Sequence, residues 1–232
     1  MKADQSTRQQ VAGALLAAGL LASGSIAHAG LINFEDIALA ANSARVDPSY
    51  VSQGYSFIPT GSSLALLQNG GGCGPACAAN GTNTLAAGGV GSGPSTVHPV
   101  TMAKTGGGTF TLSSLDYAEF VVGGHAANAT RLQVVGNVLG GGTLLATLLL
   151  DGVNDGPGGG VDFQFADLGA AWYTTLLTSV DFSGFDNAGL RRGFQLDNLA
   201  VDAAAVPLPG TLPLVVLGLL GLAARRQMFG RI

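Results

Sequence analysis

The chain has 232 residues, of which only 10% are charged and 37 are glycine, with two cysteines and one tryptophan. That much glycine excludes a body of long helices, because each Gly costs about 1 kcal/mol against Ala in a helix interior. The segment 30–205 holds five basic and 13 acidic residues, a net of −8 that the basic flanking segments reduce to −4 overall; with no cluster of Lys or Arg, nucleic acid is excluded as a partner.

The first 29 residues predict a helical secretory signal peptide. Residues 1–10 are polar and carry Lys2 and Arg8, residues 11–22 are apolar or small, and the stretch closes on Ala27-His28-Ala29. A small-residue site of this kind predicts cleavage between Ala29 and Gly30. Twelve helical residues span about 18 Å, too short for a bilayer core of about 30 Å.

From Gly30 to Ala205 the chain reads as one β-rich domain. Short alternating or β-branched runs predict strands at 31–34, 55–58, 63–67, 100–103, 109–112, 118–122, 131–135, 143–150, 161–165, 178–182 and 193–201. Breakers such as Gly106-Gly-Gly and Gly140-Gly-Gly separate them. Many short strands joined by Gly-rich turns predict an antiparallel sandwich or barrel. The run Leu144–Leu150 suits a helix or a strand by pattern, and its flanking glycines favour a strand.

Cys73 and Cys77 are spaced C-x3-C within Gly-Gly-Cys-Gly-Pro-Ala-Cys. In an exported chain such a pair predicts a disulfide that staples a Gly-rich loop otherwise lacking apolar contacts. Further along, Asp151-Gly-Val-Asn-Asp155-Gly156 with Asp162 beyond has the outline of an EF-hand loop. Val153 stands where an oxygen ligand is needed and Asp162 where a bidentate Glu is expected, so the stretch reads better as a strand connection. Trp172 and Tyr173 are candidate stacking surfaces for a sugar; on a strand, neighbours point to opposite faces, so at most one could meet a ligand and the other would pack in the core.

No motif of a hydrolase, metalloprotease or nucleotide-binding enzyme is present. Paired carboxylates of the glycosidase kind leave no spacing to read, and the domain has only two Glu residues, Glu35 and Glu119. The expectation is a protein that is not an enzyme.

The C-terminal segment 206–232 begins Val206-Pro207-Leu208-Pro209-Gly210-Thr211. It continues through an apolar stretch, Leu212–Ala224, to Arg225-Arg226. Thirteen apolar residues give a short transmembrane helix of about 20 Å, marginal for a permanent span, and the arginines favour a cytoplasmic end. Proline-rich entry, apolar span and basic pair, in that order, resemble the PEP-CTERM sorting signal of Gram-negative bacteria, with Leu208 in place of the usual Glu. The resemblance implies processing by an exosortase, a precursor tethered in the inner membrane, and a mature protein at the cell surface or in the extracellular matrix of a host that makes exopolysaccharide.

Within the domain, Phe34-Glu35-Asp36, Gly54-Tyr55-Ser56-Phe57, the run from Phe110 to Asp116, and Phe194-Gln-Leu-Asp197-Asn-Leu-Ala-Val201 together resemble the jelly-roll β-sandwich of many PEP-CTERM proteins and related carbohydrate-binding modules. The resemblance implies that first and last strands run side by side. It also implies a structural calcium where Glu35, Asp36 and Asp197 would converge. The alternative is that Asp197-Asn198 only seats the last strand by hydrogen bonds and that Glu35-Asp36 only ends the first. The functional expectation is a structural or adhesive surface protein linked to exopolysaccharide or biofilm. Its rivals are a carbohydrate-binding module and, more distantly, a secreted hydrolase.

Overall fold

Alternation of buried and exposed side chains builds the strands. In a computed structural model of the chain, the described residues are 30–61, 64–73, 76–88, 97–120, 128–151 and 161–202, all within the unit Ala29–Ala205. The predicted signal peptide with its cleavage residues Ala27 and Ala29, and the sorting tail from Val206 to Gly210 and on through Arg225 and Arg226, lie outside them. Among the described residues no helix is long and apolar enough to cross a membrane.

The described strands are β1 (Gly30–Ile32), β2 (Ala44–Asp47), β3 (Tyr50–Ser52), β4 (Tyr55–Pro59), β5 (Leu64–Gln68), β6 (Asn83–Ala87), β7 (Val100–Lys104), β8 (Leu112–Glu119), β9 (Arg131–Val138), β10 (Thr143–Leu149), β11 (Gln164–Asp167), β12 (Leu177–Phe185), β13 (Arg191–Arg192) and β14 (Phe194–Val201). One short helix, α1 (Ala170–Thr174), lies between β11 and β12. The strands form two antiparallel sheets. One runs β11-β8-β14-β6-β5-β2 with β1 also on β14; the other runs β10-β9-β12-β7-β4-β3 with β13 also on β12. The chain passes repeatedly from one sheet to the other.

The fold is therefore all-β and sandwich-like. Leu64, Leu66, Leu85, Leu112 and Leu196 of the first sheet share one core with Phe57, Met102, Val134 and Phe182 of the second. Period-two burial fits this directly: β9 and β12 send every second residue inward. The ambiguous run 144–150 is strand β10, at a sheet edge. Of the expected strands 109–112 and 118–122, only Leu112 at one end and Ala118-Glu119 at the other fall in a strand, and it is the same one, β8; Phe110 forms an isolated bridge with Leu177, and 121–122 lie outside the described residues.

Burial departs from alternation in the middle of the first sheet, where β5 and β6 are buried on both faces. The disulfide segment covers their outer face. Cys73 and Cys77 are bonded, with Cα atoms 5.7 Å apart, and pack against Ala65, Leu67, Ala86 and Phe120. The expectation of a loop without apolar contacts is corrected here: the staple fixes a small second core. Gln195 of β14, wholly buried, completes the cover. Its side-chain oxygen accepts from the Ala78 N–H at 2.8 Å, and its amide donates to the Ala78 carbonyl at 3.1 Å.

Two strand glycines sit at close approaches. A Cβ on Gly184 of β12 would stand 2.5 Å from the Arg192 carbonyl oxygen of β13. A Cβ on Gly136 of β9 would meet the Trp172 ring at 2.9 Å.

Candidate metal centre

Register brings three distant carboxylates together. β11 pairs with β8 so that Gln164 stands opposite Tyr117. Continuing that antiparallel register by two residues puts Asp162 opposite Glu119, the last residue of β8. Asp151 follows β10 in the other sheet. One ligand oxygen from each of Glu119, Asp151 and Asp162 lies within 4.8 Å of the others.

Local packing holds the two ends of the β10–β11 connection at this point. Leu150 is buried in the main core and its N–H donates to the Thr130 carbonyl at 2.9 Å. Val161 is buried against Ala78 and Ala118. The Tyr117 hydroxyl donates its one proton mainly to the Leu149 carbonyl at 2.9 Å and lies 3.3 Å from the Gln164 side-chain oxygen, so one phenol touches both ends and ties them to β8. Burial, and after it the charge of Glu119, raise the Tyr117 pKa, which keeps the hydroxyl a donor.

Glu119 is wholly buried, Asp162 half-buried and Asp151 exposed. Three carboxylates at this spacing repel one another, by about 4 kcal/mol per pair at 4 Å and an effective dielectric near 20. A divalent cation offsets that repulsion, and a hard oxygen set suits Ca²⁺ or Mg²⁺ rather than a soft metal. The triad could hold a metal ion.

The expected gathering of Glu35, Asp36 and Asp197 does not form; they are not a metal-holding group among the described residues. First and last strands do run side by side, with Gly30 opposite Val201 and Ile32 opposite Leu199. After Ile32, however, the chain turns away at Phe34, which is buried with φ 58°, before it can lie along Asp197. Glu35 and Asp36 sit in that turn rather than on the strand. Each acid has its own protein donors. Glu35 accepts from the Asn83 N–H at 2.5 Å, and Asp36 from the Ser52 hydroxyl at 2.6 Å and the Gln53 N–H at 2.8 Å.

Asp197 is buried and accepts from Asn80 at 2.7 Å, Thr82 at 2.9 Å and the Asn198 N–H at 2.8 Å. Burial raises its pKa to about 6 against these hydrogen bonds, with Asp116 adding to the rise. The alternative reading, in which these acids seat strand ends by hydrogen bonds, describes what is found.

Trp172 and Tyr173 lie on α1, not on a strand. Trp172 is buried against Gly136, and the Tyr173 hydroxyl donates to Asp167. Trp172 is thereby removed as a stacking platform. Of the triad, Asp151 and Asp162 stand out in the sequence as parts of an EF-hand outline that reads better as a strand connection, and Glu119 only as one of two glutamates. That the connection returns both its ends to one strand is a property of sheet register.

Compared with models of known protein families and with curated proteins, the chain matches none.

Proposed function

We propose that this chain is an exported protein whose β-sandwich serves a structural or adhesive, non-enzymatic role at the cell surface or in the extracellular matrix, in association with exopolysaccharide. Residues 1–29 carry the signal-peptide pattern, and Val206 to Gly210 with Arg225 and Arg226 carry the sorting pattern that an exosortase would read.

The observation that carries the reading of the body is strand order. Within the two sheets, β6-β14-β8-β11 and β7-β12-β9-β10 interleave as the eight strands of two Greek keys do in a jelly roll. This order supports a jelly-roll module, an architecture that presents sheet faces and loop ends to ligands. Calcium belongs in this reading at Glu119, Asp151 and Asp162, where it would fasten the β10–β11 connection.

The test is processing. The full chain, tagged in the body, is expressed in a Gram-negative host with its exosortase and in the isogenic deletion. Loss of the tail and surface delivery only in the first host is expected. A chain handled identically by both hosts would overturn the sorting claim.

The second reading, a carbohydrate-binding module, is favoured by one specific surface. The outer face of the second sheet sets Thr147, Gln133 and Ser183 opposite one another on β10, β9 and β12, a row of neutral donors and acceptors suited to sugar hydroxyls.

A further inference from the structure

Five basic side chains serve a domain with 13 acids, and the structure spends three of them on ion pairs. Arg45 pairs with Asp47, Lys104 with Asp202 at 2.8 Å, and Arg192 with Asp186 at 2.7 Å. The remaining two, Arg131 and Arg191, make no ion pair with another described residue.

Those two stand side by side. Phe185, the last residue of β12, faces Arg131 of β9 on one side and Arg191 of β13 on the other. Directly opposed residues of antiparallel strands point to the same face. Both guanidinium carbons lie against the same ring, 5.5 and 5.8 Å from its centroid. The row continues to Leu149 of β10, opposite Arg131 and 73% exposed. Alternation places the whole row on the outer face of the second sheet, since Leu132, Phe182 and Gly184 point inward.

Two like charges thus stand on one ring without an ion-pair partner among the described residues. The arrangement makes sense when an anion arrives. The backbones that carry the arginines are two strand spacings apart, about 10 Å, which suits a ligand that repeats its charge along its length. Each guanidinium offers a planar fork that matches a carboxylate. The next row along the face, Thr147, Gln133 and Ser183, is neutral and hydrogen-bonding, which fits hydroxyls better than further anions. Asp181, four residues along β12, is about 13 Å from Phe185 and is hydrogen-bonded to Thr101 and Asn137, so the positive end of the face is confined to the Arg row. A nucleic acid, with a phosphate at every step, would need a longer basic track.

We infer that Arg131, Phe185 and Arg191 form a docking site for the carboxylates of an acidic, uronate-bearing polysaccharide, with the Thr147–Gln133–Ser183 row receiving its hydroxyls. The inference rests on the exopolysaccharide reading above and names the class of polysaccharide and the face that takes it.

The test measures binding of the full chain, in mild detergent, to polygalacturonate, to neutral dextran, to dextran sulfate and to vesicles containing anionic lipid. Binding to polygalacturonate that weakens with salt, and little to dextran, is expected. The double variant Arg131→Gln/Arg191→Gln should lose tenfold or more in affinity, the order expected for charge-assisted hydrogen bonds. Arg45→Gln, on the other sheet, should lose nothing. Melting temperature checks the fold of each variant; should the double variant not fold, Arg191→Gln alone, at an exposed position, is expected to lose at least threefold.

No binding to polygalacturonate, binding unchanged in the arginine variants, equal binding to dextran sulfate, or binding to vesicles alone would each overturn the assignment. Failure here leaves exosortase processing untouched, and failure of processing leaves this binding measurable, so the two claims can fall separately.

Discussion

The Tyr117 hydroxyl reaches the carbonyl oxygen of Leu149, 32 residues away and in the opposite sheet, at 2.9 Å. Through it the end of β10 is held over β8, two residues from Glu119. Tyr117→Phe should therefore cost about 1 kcal/mol, the usual net worth of a hydrogen bond, seen as a fall of about 2–4 °C in Tm. It should also reduce whatever Tm gain calcium gives.

Calcium itself should raise the Tm of the wild-type chain, by about 2.7 kcal/mol of stability at a hundredfold excess over Kd. Chelator should reverse the gain, and Glu119→Gln should abolish it. A wild-type Tm indifferent to both calcium and chelator would count against a cation at the triad. Glu35→Gln, whose carboxylate already accepts from Asn83, should leave the calcium response intact.

Gly184 has no room for a methyl group, and its obstacle is the backbone oxygen of Arg192 rather than a flexible side chain. Gly184→Ala is expected to cost about 3 kcal/mol, at the upper end of overpacking effects, measured by chemical denaturation. Gly136→Ala meets side chains, the ring of Trp172 and the methyls of Leu177, which can shift. It should cost less, and a larger loss there than at Gly184 would contradict this account.

Asp197 predicts an unusual pH response. Its folded pKa, about 6, lies above the ordinary 3.8, so between these values the folded state holds a proton that the unfolded chain has released. Stability from this group is complete below about pH 4 and is lost as the pH rises through about 6, an effect on the order of 3 kcal/mol. Asp186 acts oppositely and in a lower window. Burial raises its pKa, but the Leu190 N–H and Arg192 outweigh that and lower it, so its contribution is present above 3.8 and lost on acidification below it. Thermal melts from pH 4 to 7 should show the decline in wild type and a flatter profile in Asp197→Asn; a profile that rises across this range would refute the assignment.

Reduction of the Cys73–Cys77 bond should be mild. The enclosed loop is short, so the entropic gain is about 2 kcal/mol, or about 4–8 °C in Tm. Loss of far more would mean that the small core of Ala65, Leu67, Ala86 and Phe120 comes apart with it.

The all-β class of the fold is legible in the sequence, because period-two burial is a local signal. Strands such as β4, β9 and β12 carry it over five to nine residues and lie where their alternation put them. The sequence could not show β6, whose Asn-Thr-Leu-Ala-Ala is buried on both faces and has no alternation, or the exposed β2. It read Trp172-Tyr173 as strand, where five residues form a helix that drives the indole into the core. The cysteine pair was legible because its partners are four residues apart. The carboxylates were not, because convergence depends on which strands pair and in what register. Strand pairing brings Glu119 to Asp151 and Asp162 while Asp197 keeps to Asn80 and Thr82, and it sets two arginines that have no ion-pair partner among the described residues beside a single ring. A charge count reports how many such groups exist; only long-range strand pairing sets which of them stand together.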